Sequence, residues 1–185
     1  MIIFEERNGA TVPIEIESKL LKERIILLNG EIDSDMSSKI ISELLCLDSM
    51  GKDDIKMYIN SPGGSVNDGL AIYDTMNFIK SDVSTICVGE ASSMGAILLL
   101  NGAPGKRFCL KNSEIMIHQP LGGVKGQATD IDIEAKRIIK TKKLLNTIIS
   151  SKTNKSLKQV EQDVERDYFM DSETALNYGI IDKII

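Results

Sequence analysis

The chain has 185 residues, with 22 Lys+Arg against 27 Asp+Glu for a net charge of −5, three cysteines, one histidine and no tryptophan. That balance argues against a nucleic-acid or anionic-membrane binder, which needs a basic face, and 42% hydrophobic with 26% charged residues is a globular composition. A chain of this mass buries roughly 70% of its unfolded surface, enough for one packed domain.

In chain order, Met1-Ile-Ile-Phe4 is too short for the apolar core of a signal peptide. Arg24–Leu28 reads as a short buried strand ending at Asn29-Gly30. A helix follows from about Asp35 to Met50, with Asp33 or Ser34 as its cap. Ile55–Ile59 is the next strand and Val66–Lys80 the next helix, with Ile72, Met76 and Ile79 on one face. Val83–Val88 is again strand. Met94–Leu100 is apolar all round, as a helix inside the core is, and too short to span a bilayer. Lys106–Leu110 and Glu114–His118 are short strands. The longest helix runs from about Thr129 to Ser151, acidic early and basic late as the helix dipole favours, so its charges read as a solvated face. Ser156-Leu-Lys-Gln159 is a capping-box pattern opening a helix to about Arg166. A short helix over Ser172–Asn177 ends at Gly179, and Ile180–Ile184 closes as a strand. Strands alternating with helices at this spacing mean an α/β fold. With no leader and no membrane span, the expected compartment is the cytoplasm.

One histidine rules out any site that needs two within the chain, and Cys46, Cys87 and Cys109 contain no Cys-x-x-Cys pair. No metal site is expected. Three loops carry chemical potential. In Asn60-Ser-Pro-Gly-Gly-Ser65, adjacent glycines at a helix start bring N–H groups close to a ligand, or simply make a tight turn. Gly89-Glu-Ala-Ser-Ser-Met-Gly95 leads from strand into buried helix, where a serine is held rigidly. It has the logic of a nucleophile elbow without its first glycine, and leaves open which of Ser92 and Ser93 caps and which reacts. In Ile115-Met-Ile-His-Gln-Pro120 a histidine ends an apolar strand. A serine nucleophile needs such a base, and the base needs a carboxylate, which spacing does not select among 27 acids.

Met57-Tyr-Ile-Asn-Ser-Pro-Gly-Gly64, Ala91-Ser-Ser-Met-Gly-Ala96, Lys106-Arg-Phe-Cys-Leu110 and Met116-Ile-His-Gln-Pro-Leu-Gly-Gly123 together resemble the ClpP family, the peptidase subunits of ATP-dependent Clp proteases. The likeness runs from about Ser18 to Ile185 and takes in Gly126–Ile131 and Glu165-Arg-Asp167. It implies a ClpP/crotonase-like repeated ββα spiral over 1–185, with 1–17 as an axial-pore segment. A handle over 122–151, a strand plus the long helix, would interdigitate between two stacked heptameric rings. It implies a serine endopeptidase with Ser93 as nucleophile, His118 as base and Asp167 as acid. The backbone N–H groups of Gly64 and Met94 would form the oxyanion hole. Substrate would lie extended along Gly64, Ser65 and Val66 on one side and Leu121, Gly122 and Gly123 on the other. It further implies a hexameric Clp AAA+ ATPase partner, of the ClpX, ClpA or ClpC type, docking at Leu44, Leu45, Tyr58, Phe78, Ile86 and Val88. Of these, Tyr58 and Phe78 are expected to be partly exposed. Arg166 would pair across the rings. No cofactor is expected in this chain, since ATP is used by the partner; Gly102-Ala-Pro-Gly-Lys106 lacks the Walker A spacing and its final Ser/Thr.

The ends depart from the family pattern. Pro13–Ser18 has Glu17 where the family has an aromatic residue, and no polar tail follows Ile185. Phe4–Gly9 fits a pore hairpin turning at Asn8-Gly9. The alternatives are a signal-peptide-peptidase-like Ser/Lys protease, a crotonase-type acyl-CoA enzyme, and an inactive or regulatory paralogue in a mixed ring.

Overall fold

A computed structural model describes residues 1–7 and 10–185. Its centre is a mostly parallel sheet in the order β3 (Ile25–Asn29), β4 (Ile55–Ser61), β5 (Val83–Ser92), β6 (Arg107–Cys109), β9 (Lys183–Ile184). Two further strands branch from β5. The strand β7 (Glu114–Ile117) runs parallel to its end, and β8 (Tyr168–Met170) pairs antiparallel with β7. Two partners on one side of β5 require a bend. Thr85–Cys87 pairs with β6, then Gly89 adopts φ 86°, and Glu90–Ser92 pairs with β7. Ser113 pins the bend by accepting from Gly89 N (3.0 Å) and donating to Cys87 O (3.1 Å). The strand is thereby carried away from β6 and delivers Ser92-Ser93 beside β7.

The helix α2 (Ser34–Met50) starts where Asp33 accepts from Met36 N at 2.8 Å, and it buries Ile40, Leu44 and Leu47. On the same layer α3 (Val66–Phe78) buries Ile72 and Met76. All seven residues of α4 (Met94–Leu100) are buried, as its unbroken apolar sequence requires. In α5 (Ala128–Lys152) only the last turns join the core, through Leu145, Asn146, Ile148 and Ile149, while Ile131, Ile133 and Ile139 nearer its start are exposed. Among the described residues no helix is long and apolar enough to cross a membrane.

Several elements differ from the sequence reading. At the N-terminus β1 (Ile2–Arg7) and β2 (Ala10–Glu15) form an antiparallel ladder, followed by an unforeseen helix, α1 (Ile16–Lys22); the expected Asn8-Gly9 turn lies outside the described residues. The expected handle strand does not form: β7 stops at Ile117, and among the described residues no strand lies beside 118–127 to supply ladder bonds. The helix α6 (Leu157–Asp163) keeps half of its capping box. Ser156 accepts from Gln159 N, but the Gln159 amide turns to Asp163 (2.7 Å). The helix α7 (Ser172–Tyr178) ends at Gly179 in the left-handed region (φ 94°), as its glycine foretells. The last strand is only Lys183–Ile184, because Asp182 is engaged by Arg107.

That Arg107–Asp182 pair ties the C-terminus to β6. Arg107 Nε donates to Asp182 Oδ2 at 3.0 Å, and Nη1 donates to Gly179 O (2.9 Å) and Lys152 O (3.2 Å). Burial pushes the Asp182 carboxyl up, but the Arg107 hydrogen bonds outweigh it and hold it below the ordinary carboxylate range. Arg107→Ala leaves three acceptors unpaired in a largely covered site and is expected to cost about 3 kcal/mol in urea unfolding at neutral pH. A depressed folded-state value means this stabilisation is present above the unfolded carboxylate range and is lost as pH falls through the folded one. The gap between wild type and Arg107→Ala is therefore expected to narrow in strong acid.

Candidate active site

Where β5 runs into α4, Ser93 has φ 54° and ψ −118°, one of two described non-glycine residues at positive φ. A branched or bulky side chain resists such a backbone, so the turn is held by its surroundings. Ser93 N donates to Met116 O at 2.8 Å, extending the β5–β7 pairing by one residue. Ser93 stands at the N-cap position of α4 but makes no side-chain cap bond, so its hydroxyl is directed elsewhere. Ser92 is buried and its Oγ donates to Glu90 Oε1 at 2.7 Å. Neither serine caps the helix, so the expected division between a capping and a reacting serine is replaced by one buried and one in the cleft.

The second loop is held against this turn. Gly63 has φ 94°, and a Cβ there would lie 2.7 Å from Ser93 Cβ and 2.8 Å from Ser92 O. Gly64 is bridged to Ile32, whose N donates to Gly63 O (2.8 Å) and whose O accepts from Ser65 N (2.7 Å). Gly64 lines the cleft beside Met94, and among the described residues neither Gly64 N nor Met94 N, the first amide of α4, has an acceptor. Two unused donors beside a serine hydroxyl are suited to an oxyanion. Ser65 accepts from Asp68 N (3.4 Å) as the cap of α3, and Val66 lines the cleft.

The histidine and the acid are brought together by the β7–β8 ladder. Its last register pair is Ile117 with Tyr168, so one step further places His118 opposite Asp167. His118 Nδ1 lies 2.9 Å from Asp167 Oδ1 and Nε2 lies 2.9 Å from Ser93 Oγ. The imidazole is 14% exposed and the carboxylate 57%. The chain itself therefore shields the base but not the acid.

Above Ser93 opens a cavity of about 210 Å³, walled by Val66, Ile97, Ile117, Leu145 and Ile149, with His118 at its edge. It continues into a wider groove of about 480 Å³ between Ser65–Val66 and Leu121–Gly123, roofed by α5. Leu121 is 84% exposed, and Gly122 and Gly123 are open to solvent. The structure thus gathers Ser93, His118, Asp167, Gly64, Met94 and both expected substrate edges around one cleft.

The remaining candidates are scattered. Phe78 is 81% and Leu45 45% exposed, and Tyr58 and Val88 are half-buried. Leu44 and Ile86 are buried and line no surface in this chain: Leu44 falls on the inward stripe of α2 with Ile40 and Leu47, and Ile86 sits on the central strand β5. Arg166 is exposed and makes no ion pair with the described residues. Glu90 is a site neighbour that the sequence reading did not single out. An acid two residues before Ser92 is its signal in the sequence.

A parallel sheet that bends at one strand, a serine at positive φ at that strand's end, and a histidine and carboxylate just past the β7–β8 ladder form one scaffold. A sequence model of the Clp protease family matches residues 8–185. Since that match leaves out only the first seven residues, the chain belongs to the Clp protease family, a family of serine peptidases.

Proposed function

We propose that this chain is a serine endopeptidase, the proteolytic core subunit of an ATP-dependent Clp protease that cuts unfolded proteins to short peptides. The observation that carries the reading is the continuous line from Ser93 Oγ through His118 to Asp167, with 2.9 Å at both links. Ser93 Oγ attacks the scissile carbonyl carbon while His118 Nε2 takes its proton. Charge that develops on the carbonyl oxygen meets the N–H groups of Gly64 and Met94. His118 returns the proton to the departing amine, and a water molecule, deprotonated in the same way, releases the acyl group from Ser93. Asp167 fixes the tautomer by accepting from Nδ1–H and stabilises the imidazolium.

Substrate lies as an added strand between Gly64–Val66 and Leu121–Gly123, with one side chain in the apolar cavity. The exposed isoleucines on the first half of α5 support burial between two stacked heptameric rings, with Arg166 at the same junction. Exposed Phe78 and Leu45 support docking of a hexameric Clp AAA+ ATPase, which supplies the ATP hydrolysis; this chain uses no cofactor, and its compartment is the cytoplasm. A Ser/Lys peptidase would place an amine at Ser93 Oγ, whereas the basic group within hydrogen-bond distance there is His118.

A serine-directed phosphonate tests the assignment. The adduct is expected on Ser93 by mass spectrometry in the wild type and is expected to vanish in Ser93→Ala. Labelling at Ser92, or none in an assembled oligomer, overturns it.

A further inference from the structure

The basic residues of α5 are not all alike. Lys136 and Arg137 are satisfied within the helix, by Asp132 (2.6 Å) and Glu134 (3.1 Å). Lys142 instead reaches out of it. Its Nζ donates to Gln119 Oε1 at 2.8 Å and to Glu165 Oε2 at 2.9 Å, each 23 residues away in sequence. Gln119 closes the cluster, donating through Nε2 to Glu165 O (3.0 Å) and through its backbone N to Val164 O (2.7 Å). Lys142 is 29% exposed where Lys136 is 74%, so its ammonium is covered by these partners and not merely solvated. The Lys142 hydrogen bond is the chief reason the Glu165 carboxyl is held below the usual carboxylate range.

The position of this cluster matters more than its strength. Gln119 directly follows His118, and Glu165 stands two residues before Asp167. The β7–β8 ladder ends at Ile117 and Tyr168, so base and acid sit just past the last paired residues, where strands fray. The hydrogen bonds of Gln119 and Lys142 close that open end. On the same helix, Leu145 and Ile149 follow Lys142 at i+3 and i+7 and form part of the cavity wall, so one face of α5 touches both the cleft and the cluster.

We propose that Lys142 is a positioning residue that acts through Gln119 and Glu165 to hold His118 between Asp167 and Ser93. The proposal rests on the serine-peptidase reading above. An ion pair this close to the surface contributes little to folding, so its loss should be visible in chemistry and not in thermal stability. A small misplacement of a general base is costly.

The test compares wild type, Lys142→Met, Lys142→Arg and Glu165→Gln as assembled oligomers. The readouts are the rate of Ser93 phosphonylation, kcat and KM for a fluorogenic peptide, and the melting temperature. In Lys142→Met, phosphonylation and kcat are expected to fall together by about tenfold with KM almost unchanged. Lys142→Arg, which still donates to both partners, is expected to recover most of the loss. Glu165→Gln keeps an oxygen that accepts from Lys142 but loses the charge that strengthens the bond, so a partial fall of about threefold is expected, which covers the case in which the lysine variant does not assemble. Wild-type rates in Lys142→Met or Glu165→Gln, or a loss that Lys142→Arg shares in full, overturn the proposal while leaving the serine-peptidase reading intact. Failure of the wild type to label at Ser93 overturns both.

Discussion

His118→Ala is expected to lower kcat for peptide hydrolysis by about 10⁴-fold or more, and Ser93→Ala by a similar factor. The size follows from the geometry: Ser93 Oγ has His118 Nε2 at 2.9 Å, and the chain contains no second histidine to take over. Nucleophile and base act as one unit, so Ser93→Ala/His118→Ala should be little worse than either single change. Asp167→Asn should also be severe, because an amide can present N–H to Nδ1 and favour the wrong tautomer. Its magnitude is more open to the surroundings, since Asp167 is 57% exposed and solvent can partly replace it. These effects should fall on kcat, with KM held by the cleft walls. Retained hydrolysis in His118→Ala would falsify the imidazole mechanism and return attention to a lysine base. Retained thioester chemistry in Ser93→Ala would favour the crotonase-type reading.

How far the sequence reveals this arrangement depends on whether the information is local. The helix α2 is legible because its Asp33 cap and its inward stripe are both written within one segment, and α4 because seven consecutive apolar residues have nowhere to go but inside. In contrast, β8 has three residues, too few for any alternation, and exists only through its pairing with β7. The helix α1 buries no side chain and has no side-chain cap, so neither usual signal marks it. The same division holds at the site. That a serine and a histidine end strands is local information. The choice of Ser93 over Ser92 turns on a backbone angle of φ 54° that follows from contacts with Gly63 and Met116. The carboxylate opposite His118 is set by a ladder register, which family resemblance suggests but spacing among many acids does not. Lys142 is hidden for a related reason: within a run of helix charges it looks like its solvated neighbours until its partners from other segments are seen.

Gly64→Ala is expected to reduce kcat by about 10²–10³-fold, the loss expected for a misplaced oxyanion donor, while the protein still folds. The first cause is steric. A Cβ at Gly64 would stand 2.2 Å from Ile32 O and 2.7 Å from Ile32 N, both backbone atoms held by the Ile32–Gly64 bridge. Those atoms cannot swing aside as a flexible side chain does, so residue 64 must move toward Ser93 or the bridge must open. Either response carries the Gly64 N–H away from the point where charge develops. The second cause is conformational, since φ 149° at Gly64 is a backbone that residues with a side chain seldom adopt. Ser93 and His118 are untouched, so the variant should retain the Ser93–His118 hydrogen bond and bind an extended peptide with nearly unchanged KM. It should react slowly with both the phosphonate and the peptide, because both need the same N–H donor. Were Gly64→Ala to phosphonylate at the wild-type rate, the oxyanion would have to be held without Gly64, by Met94 and a group not yet identified. Were KM to rise instead while kcat held, Gly64 would serve to bind the substrate strand and not its transition state.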